Sequence, residues 1–409
     1  MRILLINQYF RPDVAATAQL LAELAEDLSA GGAEVTALTG RGSYVPGRAE
    51  KLPRREEWRG VEIRRVWCTS FGRKSTLGRL SDYLTFLTSA KLVVLFGRRR
   101  DVVVCPSTPL LVAVLGLLAR LRGARFVCKV EELYPDVAIM LGTMHAGSLV
   151  ARWSGALSRL LLRRADAVVA LDEGMAAVLA ERGAQRVVVI PNWADGRAIR
   201  PDPEAGALFR RNRALDGRFV VLYSGNLGLA HRFEEMVGAA AILSELKTRV
   251  LFLFVGGGPR LDEVRAATRD APNVRFMPYQ PLERLRALYA AADLHLVTLR
   301  DEVSGMVVPS KYPAALAAGK PVLLVGGRGT EMRREIERLG LGWCCDRDSE
   351  AVSDAIVEAC RPSTRLEAMG AKARRLLEEK YERRLCTRRW AELIASVLDS
   401  KRSEVPAHT

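Results

Sequence analysis

The stretch LHLVTLRDEVSGMVVPSKYPAALAAGKPVLLV, residues 294–325, decides the fold. Its first six residues are mostly apolar and predict a buried strand, and its last residues predict another. Between the two strands, a polar loop leads through Gly-Met-Val-Val-Pro-Ser-Lys into a small-residue helix predicted over 312–318. This order of elements is typical of a parallel α/β sheet. Unpaired backbone N–H groups where the helix begins, together with Ser310 and Lys311, favour a bound phosphate.

The rest of the chain repeats the alternation of strand and helix, which indicates parallel, doubly wound sheets. The first half is predicted to contain strands at 2–7, 34–38, 61–66, 102–105, 126–130, 167–171 and 187–190, with helices at 18–30 and 110–121. Residues 193–217 are rich in Pro and Gly and read as a linker. The pattern then restarts, with strands at 219–223, 249–255 and 274–277 and helices at 233–246, 261–269 and 282–291. The fold class is therefore α/β, with two Rossmann-like halves.

Length and charge narrow the class of partner. A chain of 409 residues is too long for a single core, so two domains are expected. The net charge is +15, from 62 Lys and Arg residues against 47 Asp and Glu, which favours an anionic partner. The candidates are a nucleotide diphosphate, an acidic phospholipid or a nucleic acid. No nucleic-acid-binding signature occurs, so nucleic acid is not expected.

Cysteine usage and hydropathy predict a cytoplasmic protein. The seven cysteines are scattered and form no CxxC pair, which is typical of free thiols in a reducing compartment. The chain opens at once with a predicted strand, so a signal peptide is not expected. No uninterrupted apolar run reaches the roughly 20 residues of a spanning helix. We therefore expect a cytoplasmic chain that is soluble or peripheral to a membrane.

Glycine-rich strand ends mark a candidate ligand site in the second half. Ser-Gly-Asn-Leu-Gly, residues 224–228, lets the backbone approach a ligand closely, and His231 and Arg232 follow where the next helix begins. A tight turn with a solvated His-Arg pair is the alternative. Val-Gly-Gly-Gly-Pro, residues 255–259, ends the next strand, and a plain strand-to-helix turn is the alternative there.

These segments resemble the retaining GT-B glycosyltransferases of family 4. The most similar branch builds bacterial surface polysaccharides and includes N-acetyl-L-fucosamine and colanic-acid transferases. The resemblance implies a GT-B fold with two Rossmann-like domains facing a cleft: 1–195 for the acceptor and 196–380 for the nucleotide sugar. Residues 381–409 would form a helix that crosses back to the N-terminal domain, then a tail. The implied function is transfer of a sugar from a UDP- or GDP-sugar to a lipid-linked saccharide.

The resemblance assigns roles on the donor side. Arg232 and Lys311 would neutralise the leaving diphosphate, with Glu132 as a third catalytic residue. An N-cap Ser310 beside an exposed Lys311 is the alternative. The donor-binding residues implied are Gly225, Asn226, Gly228, His231, Gly256, Gly257, Tyr279, Gly305, Met306, Val307, Val308, Pro309, Ser310 and Glu331.

One departure concerns two glutamates. Many family members carry them eight positions apart, where this chain has Met306 and Ala314. Ribose binding would then use another group. Glu331 is a candidate substitute, and a solvated glutamate where a helix begins is the alternative.

The acceptor side is expected in the first half. The loop Asn-Gln-Tyr-Phe-Arg-Pro-Asp-Val-Ala-Ala-Thr, residues 7–17, resembles the branch's acceptor loop, where glycines usually stand near Ala15 and Ala16. Asp13 and Thr17 belong to the same loop. Glu-Glu-Leu-Tyr-Pro-Asp, residues 131–136, follows a predicted strand, and the carboxyl ends of parallel strands face the ligand crevice. Glu132 or Asp136 would hold hydroxyl groups of the acceptor or the donor sugar; a capping carboxylate is the alternative.

Two Leu- and Arg-rich segments, 77–100 and 148–164, favour contact with an anionic membrane surface. Ordinary core-packing helices with solvated arginines are the alternative. The predicted location is the inner face of the cell membrane. No metal-ligand motif occurs, so neither a metal nor another cofactor is expected. A GT-B-fold sugar-nucleotide epimerase and a degenerate, non-catalytic sugar-nucleotide-binding subunit remain open as alternatives.

Overall fold

A computed structural model of the protein describes residues 1–13, 15–42, 52–71, 76–362 and 365–403. The chain divides into two compact units. The first unit comprises Met1–Pro191 together with the chain from Arg384 onward, and the second unit comprises Asn192–Arg383. Each unit is built on its own sheet.

The first unit contains an eight-stranded sheet in the order β3-β4-β2-β1-β5-β6-β7-β8. Its strands are β1 (Arg2–Ile6), β2 (Glu34–Thr39), β3 (Arg55–Trp58), β4 (Val61–Arg65), β5 (Val102–Pro106), β6 (Arg125–Lys129), β7 (Ala167–Ala170) and β8 (Val187–Val189). All neighbours pair in parallel except β3, which is antiparallel to β4. Strands such as β1 and β5 are buried because helices cover both faces of a parallel sheet.

The helices of the first unit follow the strands they pack against. They are α1 (Ala16–Ala30), α2 (Thr76–Phe96), α3 (Val112–Leu121), α4 (Asp136–Met140), α5 (Leu149–Arg164) and α6 (Glu173–Glu181). The last helix, α15 (Arg383–Ser403), begins where the second unit ends. Thr387 of α15 donates to Asp27 of α1 at 2.8 Å, and the Trp390 side chain is fully buried.

The second unit contains a six-stranded parallel sheet in the order β11-β10-β9-β12-β13-β14. Its strands are β9 (Phe219–Asn226), β10 (Val250–Gly257), β11 (Val274–Met277), β12 (Leu294–Leu299), β13 (Val322–Gly326) and β14 (Gly342–Cys345). Its helices are α7 (Pro203–Asn212), α8 (Glu234–Glu245), α9 (Leu261–Ala267), α10 (Leu282–Ala290), α11 (Lys311–Ala317), α12 (Glu331–Leu339), α13 (Ser349–Ala359) and α14 (Arg365–Leu376). A 3-10 turn, Asp301–Val303, follows β12, and a π turn, Leu377–Tyr381, precedes α15.

Alternate residues of β9 enter two different cores. Val221 and Tyr223 pack with Phe233 on one face, while Val220 and Leu222 pack on the other face with residues that include Leu288 of α10. Both faces of the sheet are therefore covered. Two α/β units with parallel sheets confirm the predicted fold class.

The prediction of a linker over 193–217 was wrong for its central residues, because Pro203–Asn212 forms the helix α7. Asp202 caps this helix by accepting from the Ala205 N–H at 2.9 Å, and Pro203 occupies its first turn. Arg210 then donates to the Ala291 carbonyl at 2.8 Å and fixes α7 near the end of α10. Asp-Pro at this position is a helix-start signal.

Candidate functional site

The site predicted for the donor lies at the carboxyl ends of β9, β10 and β12 in the second unit. Gly225 and Gly256 pair across β9 and β10 near those ends, with φ of +134° and +140°. A Cβ on Gly256 would lie 2.0 Å from the Gly225 carbonyl oxygen. Glycine is required at this point because no side chain fits between the two strands.

Lys311 lies across the backbone of Gly225. A Cβ on Gly225 would stand 2.9 Å from Cε of Lys311. The ammonium nitrogen of Lys311 lies 4.8 Å from the centroid of the Tyr223 ring, a cation–π distance. The structure therefore brings the β9 glycine and the first residue of α11 together, as predicted for one site.

His231 holds the end of the Lys311 side chain. Its Nδ1 lies 2.6 Å from the carbonyl oxygen of Thr298, which only accepts, so Nδ1 carries the proton. Its Nε2 lies 3.0 Å from Nζ of Lys311 and accepts from it. Both ring nitrogens are thus engaged. The ring, predicted to be a donor-binding residue, therefore positions Lys311.

Burial changes the titration of both groups. The pKa of His231 lies well below its ordinary value because of burial and, secondarily, the charge of Lys311. Burial lowers the pKa of Lys311 to about 7. The imidazole is therefore neutral. The Lys311 amine changes between its neutral and its cationic form close to pH 7. An anion beside Lys311 would raise its pKa again.

Arg232 precedes α8 and is paired with a carboxylate in the first turn of that helix. Its Nε donates to Oε1 of Glu235 at 2.7 Å, and its Nη2 lies 2.5 Å from the same oxygen. Glu235 is buried, and its Oε2 has no hydrogen-bond partner in the described structure. This i,i+3 ion pair raises the pKa of Arg232. Sequence reasoning missed Glu235, although the spacing of three was visible.

A second arginine supports the loop that carries His231. Arg260 donates from Nη1 to the His231 carbonyl oxygen at 2.9 Å, and its other nitrogens pair with Glu234 and Glu263. Its side chain is only 6% exposed, so it stabilises the loop from the protein interior and does not face a ligand. Its place after Pro259 gave no sequence signal for this role.

The other predicted donor residues surround the same strand ends. The Tyr279 ring packs over Gly257, with its hydroxyl 3.4 Å from the Gly257 carbonyl oxygen. A Cβ on Gly228 would stand 2.9 Å from the Asn226 side-chain nitrogen.

The turn before α11 contains Gly305, Met306, Val307, Val308, Pro309 and Ser310. Gly305 has φ of +75°, and Met306 donates its N–H to the Val303 carbonyl at 3.0 Å. Ser310 has helical backbone angles and makes no side-chain cap hydrogen bond. The structure therefore does not support the alternative of an N-cap serine.

The positions where many family members carry glutamates are apolar here. Ala314 packs between two hydrophobic clusters of the second unit. Glu331, the candidate substitute, pairs with Lys380, which also lies 2.6 Å from the buried Glu335. Glu331 therefore already has a cationic partner.

The predicted acceptor loop leads into α1 in the first unit. Oδ1 of Asp13 accepts from the Ala15 N–H at 3.1 Å. Ala15 is buried just before the helix, and Ala16 and Thr17 begin it. Val14 of this loop lies outside the described residues.

Glu132 follows β6, as predicted. The Ser107 hydroxyl, which follows β5, donates to the Glu132 carbonyl and accepts from the Glu131 N–H, both at 3.3 Å. Burial, with the charge of Glu131, raises the pKa of Glu132. Asp136 instead accepts from Arg182 at 2.7 Å and is held in an ion pair. Glu132 is therefore the better candidate of the two for holding a sugar hydroxyl.

Metal-ligand clusters and membrane-spanning helices are both absent from the residues that the structure describes. These residues contain no group of three or more His, Cys, Asp and Glu side chains arranged to hold a metal ion. None of their helices combines the length and apolar character that crossing a bilayer requires.

Two protein families match the chain. The family described as "Glycosyl transferase 4-like domain" matches residues 16–193, and "Glycosyl transferases group 1" matches residues 206–376. Among relatives, the chain is 29% identical to the "Probable glycosyltransferase WbjE" of Pseudomonas aeruginosa over 331 residues, covering 80% of this chain and 82% of that one. It is 28% identical to the "Putative colanic acid biosynthesis glycosyl transferase WcaI" of Escherichia coli, covering 94% of this chain and 97% of that one.

Solved structures share the fold. A sucrose-phosphate synthase from Thermosynechococcus elongatus superposes with a TM-score of 0.77 at 16% identity, covering 98% of this chain and 99% of that one. WaaG, a glycosyltransferase involved in lipopolysaccharide biosynthesis, superposes with a TM-score of 0.69 at 16% identity, covering 96% and 99%. Anabaena HepE in complex with UDP-glucose superposes with a TM-score of 0.70 at 19% identity, covering 97% and 100%.

Proposed function

Because the chain belongs to family 4 of the GT-B glycosyltransferases, in the branch that builds surface polysaccharides, we propose that it moves a sugar from a UDP- or GDP-sugar to a lipid-linked saccharide. The anomeric configuration of the sugar is retained in this proposal. The observation that carries the proposal is Lys311, held beside Gly225 by His231 and Tyr223 at the strand ends of the second unit.

Two similar proteins support a nucleotide-sugar donor. HepE was solved with UDP-glucose, and a mannosyltransferase of Mycolicibacterium smegmatis, 29% identical over 224 residues, is named GDP-mannose-dependent. A diphosphate brings two or more negative charges, and the Lys311 ammonium supplies a nearby cation. We infer that Lys311 stabilises the charge that develops on the diphosphate as the sugar departs.

Arg232 and Glu132 complete the proposed chemistry. Arg232 shares its guanidinium between Glu235 and the donor phosphates, which makes its contribution smaller than that of Lys311. Glu132 accepts a hydrogen bond from a sugar hydroxyl, and burial, which raises its pKa, makes it a better proton acceptor than an exposed carboxylate.

The proposed reaction needs no divalent ion. In this site the charge of the leaving group is met by Lys311, which lies beside Gly225, and by Arg232, which follows β9 in the chain. A divalent ion would otherwise be the usual partner of a nucleotide diphosphate. The test is activity in the presence of a chelator.

Association with the inner membrane face is proposed for the first unit. Large apolar side chains of α5 are exposed, with Leu149 at 79% and Trp153 at 57%, and Arg163 and Arg164 end the same helix. Aromatic, apolar and basic residues on one surface helix favour an interfacial position. Each Lys or Arg near anionic lipid contributes about 1 kcal/mol. A membrane position would place the enzyme beside a lipid-linked acceptor.

The decisive experiment is a donor and acceptor screen. UDP- and GDP-sugars are first ranked by the rise in the unfolding temperature of the purified protein, and the best are then assayed with a lipid extract of bacterial membranes. We expect release of UDP or GDP only when the extract is added, with a labelled sugar in the lipid fraction. Stabilisation without turnover would instead indicate a binding subunit, and release of an epimerised sugar an epimerase.

A further inference from the structure

A hollow in the first unit is lined by five arginines and has no part in the proposed reaction. We call it the arginine pocket: Arg64, Arg98, Arg99, Arg100 and Arg122, over a floor that includes Leu4, Val94 and Val103. It encloses about 420 Å³ of space, part of which is open to solvent. Four of the arginines directly precede β5 or β6, so they flank the amino ends of those strands. The predicted acceptor residues follow the carboxyl ends of β1 and β6 instead.

Arg100 gives the pocket its chemical character. Its side chain is only 10% exposed, and its Nη1 is buried without a hydrogen-bond partner in the described structure. The nearest carboxylate oxygens belong to Glu34 and Glu62, each 3.9 Å from a guanidinium nitrogen and beyond hydrogen-bond distance. Burial lowers the pKa of Arg100. A buried cationic donor without an acceptor is costly, and a bound anion would satisfy it.

The remaining side chains fix the charge of the pocket. Arg98 donates to Glu34 at 2.8 Å, and Arg122 donates to the carbonyl oxygens of Val94 and Gly97 at 2.9 and 2.8 Å. Glu62 accepts from the Thr36 hydroxyl at 2.9 Å. Five guanidinium groups against the two carboxylates leave three positive charges. The pocket is therefore cationic even with both glutamates in place.

Exposed apolar side chains lie next to the lining residues in the chain. Leu92 is 55% exposed, Phe96 is 80% exposed and Leu121 is 82% exposed. They flank Val93, Arg98 and Arg122 of the lining. A free phosphate would gain nothing from such neighbours, whereas a lipid carries acyl chains that cover them.

We propose that the arginine pocket binds the phosphodiester group of an anionic lipid, with Phe96, Leu121 and Leu92 in the adjacent acyl region. The lipid acts as a tether and is distinct from the acceptor, because four of the arginines precede the amino ends of β5 and β6 whereas Glu132 follows the carboxyl end of β6. The proposal rests on the proposed membrane association and names the lipid contact within it.

The test compares two double variants with equal loss of charge. Arg99→Gln/Arg100→Gln alters the pocket, and Arg211→Gln/Arg269→Gln removes two charges from the second unit. Each is sedimented with vesicles of phosphatidylcholine containing 30% phosphatidylglycerol, a composition chosen for its negative surface. We expect the pocket variant to lose about 10- to 30-fold in vesicle affinity, the effect of two cations near an anionic surface, and the control less than about 3-fold.

A soluble lipid distinguishes binding in the arginine pocket from general electrostatic attraction to a charged surface. Dihexanoyl-phosphatidylglycerol below its micelle concentration should bind saturably to the wild type, and inorganic phosphate should bind at least about 10-fold more weakly. The double variant should bind neither. If the double variant unfolds, Arg99→Gln alone, at an exposed side chain, should still weaken vesicle binding about 3-fold or more.

The outcomes separate this site from the proposed function. Equal losses in the two double variants would overturn the pocket while leaving membrane association intact. Arginine-dependent binding of inorganic phosphate, equal to that of the short lipid, would overturn the lipid as the ligand. Failure of the wild-type protein to bind the vesicles would overturn both the lipid-binding pocket and the membrane position. Sugar transfer, assayed on the same protein, tests the enzymatic activity separately.

Discussion

The ammonium nitrogen of Lys311 lies 3.0 Å from Nε2 of His231, and burial keeps the ring neutral while its other nitrogen donates to the Thr298 carbonyl. Lys311 is therefore held by a neutral acceptor and by the face of Tyr223. Neither partner cancels its charge. Neither partner is a carboxylate, which would compete with an anionic ligand for Lys311. The charge of this partly buried cation is therefore available to such a ligand.

Replacing Lys311 with Ala should lower turnover by about 10²-fold or more, the scale of losing one charge contact in a transition state. The control is Lys320→Ala, which removes a lysine just beyond the other end of α11. We expect that control to keep full activity. Turnover of Lys311→Ala within a few-fold of the wild type would contradict the phosphate role.

Donor affinity should fall as the pH rises through about 7. Burial sets the pKa of Lys311 to about 7, so the free protein loses this cation above that pH. An anionic diphosphate binds more tightly when Lys311 is protonated. Losing one contact worth about 1.4 kcal/mol lowers the affinity about tenfold. Calorimetric titration with UDP from pH 7 to 9 measures the effect. The control is Lys311→Arg, because a guanidinium stays charged over this range and its affinity should remain flat. A parallel decline in both proteins would assign the effect to other groups.

Replacing Lys311 with Met should stabilise the protein at pH 7. The pKa of Lys311 in the fold, about 7, lies below its ordinary value of 10.5, so between these values the unfolded chain binds a proton that the folded chain lacks. The free energy of unfolding therefore rises with pH over this range, and the cost of burying the lysine is greatest below pH 7. Because Lys311 is partly exposed, we expect a gain of only about 1–2 kcal/mol. Chemical denaturation at pH 7 and pH 10 tests this: the gain should shrink at the higher pH, and a loss of stability at pH 7 would show that Lys311 serves the fold.

Most of the donor site was predictable because its parts lie on strand ends. The glycines at 225 and 256 and the turn before Lys311 carry local signals, and the alternating pattern places the strands that bear them. The contact between His231 and Lys311 joins residues 80 positions apart, and Thr298 reaches His231 across 67 positions. Only the parallel order of β9 and β12 brings these residues together, and a single sequence does not give that order.

Other differences have local causes. The strand β3 (Arg55–Trp58) reads as polar because, at the sheet edge, one of its faces is exposed and the other is only half-buried. Proline and glycine led us to read a linker where Asp202 and Pro203 begin a helix. The spacing of three between Arg232 and Glu235 is visible in the sequence. The burial that makes their ion pair strong depends on tertiary structure, which the sequence does not show.

Turnover should continue without divalent ions. In the proposed reaction Lys311 and Arg232 supply the positive charge, and the described residues contain no cluster of metal ligands. Activity in an excess of EDTA over total divalent ions should stay within about 2-fold of the untreated enzyme. Loss of activity that Mg²⁺ or Mn²⁺ restores would overturn this prediction.

The pair of Arg232 and Glu235 separates a structural role from donor binding. Arg232→Ala leaves the buried Glu235 carboxylate without its cation, which should cost about 2–4 kcal/mol of unfolding free energy. The double variant Arg232→Ala/Glu235→Leu removes both charges and should recover most of that stability, as measured by urea denaturation. If Arg232 also binds the donor phosphates, the double variant should fold but bind UDP about 5-fold more weakly, since a charged hydrogen bond of about 1 kcal/mol is lost. Full recovery of UDP affinity in the stable double variant would limit Arg232 to holding the first turn of α8, and Lys311 would then be the principal cation of the site.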